Sequence, residues 1–471
     1  MTHYALLIDG QLHPGKQDDE VLDPATEQVV GYAARASQAQ VDAAVNAAHN
    51  AFTGWAANPQ ARRTALALAA SVLRENSQSL AELISREQGR PLRFTLGEVA
   101  GAAATFDYYA HFEAPGAEIL RDDEQRRASI ERRPLGVVAA ITPWNVPIIL
   151  LVLKLAPALH AGNTVVAKPS EHTPLSTLLL GQLLKDVFPA GVLNIVAGDG
   201  EVGEQLSSHP LVRHITFTGS VATGKRLYAG AANDLKRLTL ELGGNDAALV
   251  LEDADIPAIA EALFWGAFWN SGQVCFAIKR LYVHESLFQP LIDALVARAE
   301  ITRLGHGLDA QTELGPLTNR QQLERVKALV ADARKHGAVI HSGGEQPEGP
   351  GYFFAPTIVS GIGAGVALVD EEQFGPVLPV IPFSDVEDAI RQANASPYGL
   401  GASVWTRDIA RGEAIARRLD AGLAWVNQHL EVQPGAPKGG YKWSGLGYEG
   451  GLRGYEAFSD LQVLNVARPA L

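Results

Sequence analysis

One cysteine, one methionine and no long unbroken apolar run are the scarcities of this 471-residue sequence. A single thiol, Cys275, can close no intramolecular disulfide and cannot build a cysteine-based zinc site. The 13 histidines never fall in HExxH spacing, so no metal is expected. The most apolar segment, residues 146–159, carries Lys154 and two prolines and stops short of the ~18 apolar residues that a membrane span needs. Positive charge is in deficit as well: 39 Lys and Arg against 52 Asp and Glu leave a formal charge of −13, which argues against nucleic acid as a partner. The stretch Met1–Asp9 has neither a basic region nor a long apolar core, unlike a secretory leader, and the expected location is cytoplasmic. What is abundant is ordinary globular material, 47% hydrophobic and 19% charged, in a chain long enough for about two or three domains.

Residues 1–35 read as short strands with turns at Asp9-Gly10 and Asp23-Pro24. Helical periodicity follows over 37–55, with Ser37 as N-cap, then over 59–88 and 96–111. Asp122–Arg127 is a charged hairpin-like excursion into a strand at 128–133. From Gly136 strand and helix alternate as far as the helix that begins at Thr223, which implies a parallel, doubly wound sheet with its ligand crevice at the carboxyl ends of the strands. A second alternating pattern over 246–430 implies a second α/β domain. The chain finishes in an apolar strand over 459–466, whose free edge would invite pairing with another subunit.

Cys275 stands in Phe264–Arg280, where Asn270-Ser-Gly-Gln273 is a loop signal after an apolar, helical run. A free cysteine usually packs as a small hydrophobe; beyond such a loop it can also meet a cleft and its backbone N–H groups as a nucleophile. Glu241 ends an apolar strand-like run ahead of two glycines, and is either a solvated strand-end carboxylate or a general base. Asn145 lies between Pro143 and Pro147, where its side chain either closes an Asx turn or offers an amide to an oxyanion. Gly198–Gly203 matches GxGxxG, but the acidic residue that a dinucleotide fingerprint needs about 20 residues on is missing. Gly219–Gly224, a strand-to-helix turn, is the better phosphate site.

Seven strings taken in order resemble the aldehyde dehydrogenase superfamily over nearly the whole chain: Thr142-Pro-Trp-Asn145, Lys168-Pro-Ser-Glu171, Phe217-Thr-Gly-Ser220, Glu241-Leu-Gly-Gly244, Gly272-Gln-Val-Cys275, Glu371-Glu-Gln-Phe-Gly-Pro376 and Gly439-Gly-Tyr-Lys-Trp-Ser-Gly445. The resemblance implies an α/β fold of two doubly wound domains. One would bind NAD (residues 1–115 and 135–243, with 446–458 returning to it) and one would be catalytic (244–445). A small β oligomerisation element from 116–134 and 459–471 would join subunits into a homodimer or homotetramer. By the same resemblance NAD, rather than NADP, lies against Ile141, Thr142, Trp144, Ser170, Gly198, Gly219, Ser220, Gly224, Leu242 and Gly243. Lys168 and Glu171 would hold the adenosine ribose, with Glu171 repelling a 2′-phosphate, while Glu372 would hold the nicotinamide ribose beside Phe374.

The implied reaction is oxidation of an aldehyde to its acid. Cys275 would add to the carbonyl, with Asn145 and the Cys275 N–H holding the oxyanion, and Glu241 would activate water against the resulting thioester. Lys154 and Glu449 match positions of a proton relay. A CoA-acylating relative would lack the Glu241 base, and a catalytically inactive binding protein would not be expected to keep Cys275, Glu241, Asn145 and Lys168 together. By positional match Val146, Leu150, Leu153, Trp265, Trp269, Phe276 and Val432 line the substrate tunnel. Two departures stand out: Val146 replaces a frequent aromatic, and Lys438 stands where Phe is usual. The first implies a roomy apolar channel for medium-chain aliphatic or arylalkyl aldehydes. The second implies a semialdehyde, if the ammonium pairs with a carboxylate tail.

Overall fold

The alternation that begins at Gly136 becomes a parallel sheet. Val137–Ile141, Thr164–Lys168 and Leu193–Ile195 lie side by side, and Val212–Thr218 and Arg237–Glu241 add in parallel on the other flank of Val137–Ile141. Antiparallel edges complete it: Gly445–Leu446 beyond Arg237–Glu241, and the hairpin Leu6–Ile8 and Gln11–His13 beyond Leu193–Ile195. The central strands are buried at every position, as expected of runs of Val, Ala and Ile covered on both faces. The order of addition reverses at Val137–Ile141, so a crevice opens between the carboxyl ends of that strand and of Val212–Thr218, where doubly wound sheets bind ligands. This computed structural model describes residues 2–433 and 435–468; residues 469–471, assigned above to the oligomerisation element, lie outside the described residues.

Only Leu242–Asn245 separate Arg237–Glu241 from Asp246–Val250, which lies beside the central strand of a second sheet. Its order is Val339–Ser342, Thr357–Ser360, Val377–Phe383, Ile278–His284, Asp246–Val250, Gly401–Trp405, Leu423–Val426, all parallel except the first. Because the chain passes so directly from one sheet to the other, the carboxyl ends of the first meet the amino ends of the second. Cys275, just ahead of Ile278–His284, lies on that amino edge. A third sheet pairs Arg126–Pro134 with Glu118–Asp122 on one side and Ser459–Ala467 on the other. Leu461, Val463, Ile119 and Leu120 are exposed on its two edge strands. The two doubly wound units and the small β element are the fold class expected from the sequence. Among the described residues no helix is long and apolar enough to cross a membrane.

The helical run expected over 59–88 is two helices, Pro59–Glu75 and Ser77–Gln88. Asn76 breaks it at φ −107°, ψ 16°, its Nδ2 donating to the Val72 carbonyl at 2.8 Å. Asparagine offers such local bonds in competition with the helix, and apolar periodicity does not register it.

Two buried carboxylates replace caps that the sequence does not supply. Helix Pro147–Ala161 starts at Val146, which has no side-chain oxygen, and Glu98 Oε1 accepts from Ile148 and Ile149 N–H at 2.7 and 3.2 Å while pairing with Arg90. Helix Leu175–Leu184 starts at Pro174, and Glu87 accepts from Leu175 and Ser176 N–H at 2.7 and 2.9 Å. Burial pushes Glu87 up to about 7 despite those donors. Glu98→Ala would uncap the helix that follows Asn145 and strand the Arg90 guanidinium. Breaking such a buried pair costs about 3–5 kcal/mol. A lower midpoint in chemical denaturation is therefore expected, with Glu98→Gln, which keeps an acceptor, in between.

Candidate active site

The loop ahead of the cysteine takes a backbone that few residues tolerate. Asn270, Ser271 and Gly272 have φ of 52°, 54° and 72°. Left-handed non-glycine residues store strain on the order of 1–3 kcal/mol each and persist only where the surroundings over-determine them. Here the Asn270 amide donates to the Asn145 carbonyl at 3.0 Å and accepts from Gln88 Nε2 at 3.0 Å. Ser271 Oγ donates to the Gly315 carbonyl at 2.7 Å, and the buried Gln273 amide bonds the Asn270 carbonyl and Thr318 N–H. At Gly272 a side chain would run into the Gly375 carbonyl. The loop is thus held from several elements, and it presents Cys275 half-buried and unpaired.

Around that thiol the donors face inward. Asn145, buried at the start of the helix that Glu98 caps, donates one amide N–H to the Gln273 carbonyl at 2.9 Å, and among the described residues its second N–H has no acceptor. No group among the described residues accepts the Cys275 N–H. Burial pushes the thiol up to about 12; Lys279 acts to lower it, and Glu372, Glu241 and Asp246 act to raise it. Gly243 and Gly244 permit the close approach, since side chains there would collide with the Glu372 carboxylate and the Cys275 carbonyl.

Glu241 ends its strand with Oε1 withdrawn from solvent and, among the described residues, without a hydrogen-bond partner. Burial, then the Glu449 charge, hold it well above the usual carboxylate range, against the opposing charges of Lys438 and Lys154. Behind it Lys154 Nζ pairs with Glu449 and donates to Thr218 Oγ1 at 2.7 Å. Lys438 exchanges backbone bonds of 2.7 and 2.8 Å with Glu449, so its main chain is tied to the same group.

A cleft of about 1060 Å³ runs along the junction of the two sheets. Of the residues singled out from the sequence it brings together Trp144, Asn145, Leu150, Gly219, Ser220, Leu242, Gly243, Cys275, Glu372 and Phe374 on its walls. Ser220 caps helix Val221–Ala231, whose N-terminus opens into the cleft, and Trp144 meets Phe374 edge-on at 5.4 Å. Glu372 Oε1 accepts from Gly244 N–H at 3.0 Å. Trp443, from the last of the seven strings, lines it too, as do His172, Arg325 and Tyr398, which carry no local sequence signal.

The remaining candidates lie off those walls. Lys168 is buried, its Nζ donating to the Pro169 carbonyl at 3.0 Å; burial lowers it while Glu171 and Asp199 raise it. Ser170 Oγ approaches Glu171, which is exposed, at 3.4 Å. Ile141 ends its strand, Thr142 N–H donates to the Lys168 carbonyl, and Gly224 makes room for Leu242. The GxGxxG stretch has its own anion: from beside Gly198, Asp199 caps helix Gly200–Ser208 and pairs with Arg35 at 2.8 Å, leaving that N-terminus unsuited to a phosphate. Val146, Leu153 and Val432 are half-buried outside the cleft wall. Trp265 and Trp269 gather on Phe94 at 6.4 and 5.8 Å, and Phe276 faces Trp425 at 6.3 Å. The sequence reading missed Phe94 and Trp425, which come from distant elements.

A model of the aldehyde dehydrogenase family matches residues 13–464. The chain belongs to that family. This aldehyde dehydrogenase is 36% identical to 3,6-anhydro-alpha-L-galactose dehydrogenase of Vibrio sp. (strain EJY3), over 99% of each chain. It is 37% identical to the mitochondrial succinate-semialdehyde dehydrogenase of Oryza sativa subsp. japonica, over 94% of this chain and 85% of that one. It superposes on the NAD+ complex of an aldehyde dehydrogenase from Bacillus cereus with a TM-score of 0.96 at 35% identity, covering 99% of this chain and 97% of the other. It is an aldehyde oxidoreductase.

Proposed function

We propose that this enzyme oxidises apolar aldehydes to carboxylic acids with NAD, through a covalent adduct on Cys275 that is released by water activated at Glu241. The observation that carries this reading is the convergence on one cleft wall of an unpaired thiol, a Cys275 N–H and an Asn145 N–H without acceptors among the described residues, with Glu241, whose Oε1 has no partner among those residues, next to the wall residue Leu242 and near enough for its charge to act on the thiol. The cleft also fits a dinucleotide: a helix N-terminus at Ser220 for phosphate, Glu372 for ribose hydroxyls, and Lys168 and Glu171 beyond it for the adenosine end. When bound, NAD supplies the hydride acceptor.

The Cys275 thiol gives its proton to water in the cleft, Sγ adds to the aldehyde carbon as the C=O π bond breaks, and the charge that gathers on oxygen is met by Asn145 and the Cys275 N–H. Each such donor typically contributes about 3–4 kcal/mol. Loss of hydride leaves a thioester on the same sulfur. Glu241 then takes a proton from water as the water oxygen bonds the thioester carbon and the C–S bond breaks to return the thiolate and the acid, a step worth roughly 10²–10⁴ in rate, and the Lys154–Glu449 pair would pass the proton on.

Leu150 on the cleft wall and the half-buried group of Phe94, Trp265 and Trp269 favour an apolar tail. Each buried CH₂ contributes about 0.8 kcal/mol. Relatives do not choose the substrate, since an anhydrosugar dehydrogenase and a semialdehyde dehydrogenase match at near-equal identity. The semialdehyde reading rests on Lys438, whose backbone is tied to Glu449 and whose charge falls on Glu241. That supports a role at the base rather than at the mouth of the tunnel. The apolar outer strand Ser459–Ala467 supports assembly into a homodimer or homotetramer.

The test follows formation of NADH from NAD, or of NADPH from NADP, with octanal, phenylacetaldehyde, acetaldehyde and succinate semialdehyde, with and without CoA. Octanal or phenylacetaldehyde should give the highest kcat/KM, NAD should exceed NADP, and CoA should change nothing. A preference for succinate semialdehyde that disappears in Lys438→Ala would replace this reading with the second. No turnover of any aldehyde would refute both.

A further inference from the structure

Lys279 lies at the start of strand Ile278–His284, and its side chain is 2% exposed. Lysine is almost never buried so fully without a partner of opposite charge. Its Nζ donates to the Cys275 carbonyl at 2.6 Å, to the Val274 carbonyl at 2.8 Å and, more weakly, to the Ala277 carbonyl at 3.4 Å. Three carbonyls of the turn that carries the thiol therefore converge on one ammonium. The nearest carboxylate is Glu372, whose Oε1 is 3.8 Å away and bound to Gly244 N–H. Glu372 lines the cleft, so Lys279 stands between the nucleophile turn and a wall residue without touching the cleft itself.

We propose that Lys279 is a positioning residue for Cys275: it ties down the nucleophile turn through its carbonyls, serves as internal counter-ion to the thiolate, and divides that charge between the thiol and Glu372. The proposal rests on Cys275 being the nucleophile. Within 3.5 Å the ammonium meets only main-chain carbonyls among the described residues, and Glu372 at 3.8 Å is its nearest counter-charge.

The surrounding charges support this arrangement. Glu372, Glu241 and Asp246 all act against ionisation of the thiol, from three different elements, and Lys279 is the charge that acts for it. Asp246 is fully buried and is pushed up to about 7, with Lys279 and then Arg280 opposing that rise. Its neighbour His429, 3.7 Å away, is pushed down to about 3 by burial and is bonded to the Phe276 carbonyl, so it adds no positive charge at neutral pH. Arg325, which donates to the Glu372 carbonyl at 3.0 Å, also acts on the Glu372 carboxylate. Lys154, Glu449 and Lys438 act on Glu241 and reach the thiol only through it.

With a single cysteine, alkylation by iodoacetamide reads this one thiol. The thiolate sulfur displaces iodide, forming S–C as C–I breaks, after the thiol proton has passed to water in the cleft. Rate constants would be measured against pH on the wild type, Lys279→Met, Lys279→Arg and Glu372→Gln. Lys279→Met should move the midpoint up by at least about one pH unit, read as at least about tenfold slower alkylation at every pH below it. Lys279→Arg should recover part of the shift, and Glu372→Gln should move the midpoint down. A Lys279→Met profile that superimposes on the wild type, or a slowing that Lys279→Arg does not restore in any part, overturns the counter-ion role. Should Lys279→Met not accumulate as folded protein, Glu372→Gln decides alone, and an unmoved or raised midpoint overturns the proposal. Failure of Cys275 as nucleophile would appear separately, as aldehyde oxidation that survives its removal.

Discussion

Cys275→Ala is expected to abolish NADH formation from every aldehyde tested, a loss on the order of 10⁴-fold or more, as for removal of other enzymatic nucleophiles. The sequence has no second thiol to substitute for it. The nearest hydroxyl along the loop, Ser271, is engaged with the Gly315 carbonyl. The loop should keep its shape, because the bonds that hold it run through Asn270, Ser271, Gln273 and Lys279 rather than through sulfur. Binding of NAD, measured by calorimetry, should stay within about threefold of wild type, since a contact worth 0.6 kcal/mol changes affinity by that much. Substantial turnover in this variant would remove the thiol from the mechanism.

The legible parts of this molecule were those in which chemistry and chain order coincide. Asn145, Glu241 and Cys275 each sit in a short string of loop-forming residues at a strand or helix end, and the fold brings their elements to one cleft. Alternating apolar strands and helices likewise foretold parallel sheets, because a buried parallel strand must be apolar on both faces. What escaped the sequence depends on partners far apart in the chain. Glu98 is an unremarkable helical glutamate until helix Pro147–Ala161 is seen to start on it. Phe94 and Trp425 look like ordinary core aromatics until Trp269 and Phe276 are set against them. Lys279 follows the cysteine by four residues, yet no periodicity indicates that its ammonium turns back onto the Cys275 carbonyl.

These hidden residues bear on the legible ones. The strained loop places Cys275 only while Gln88, Gly315 and Thr318 hold it, and those partners come from helix Ser77–Gln88 and the segment after Ile301. Asn145 is aimed partly because Glu98 fixes the first turn of the following helix. The catalytic strings are therefore sufficient to name the chemistry and insufficient to place it, since the placing is done by buried polar contacts between elements distant in sequence.

Glu241→Gln should separate the two halves of the cycle. Glutamine has nearly the same shape but cannot take a proton from water, so addition to the aldehyde and one hydride transfer survive while the thioester persists. Rapid mixing should show up to about one equivalent of NADH per site, followed by turnover slowed roughly 10²–10⁴-fold, the usual contribution of a general base. The pH dependence follows from the environment of the carboxylate. Burial, then Glu449, raise its pKa, so the proton stays on above the usual carboxylate range and the base is disabled as pH falls through that raised value. Thioester release by the wild type should therefore increase with pH across that interval, and the limb should vanish in Glu241→Gln. Lys438→Ala, which removes a charge that opposes the rise, should move the same limb to higher pH. Loss of the first equivalent of NADH in Glu241→Gln would place the carboxylate before hydride transfer, and a limb unmoved in both variants would assign it to another group.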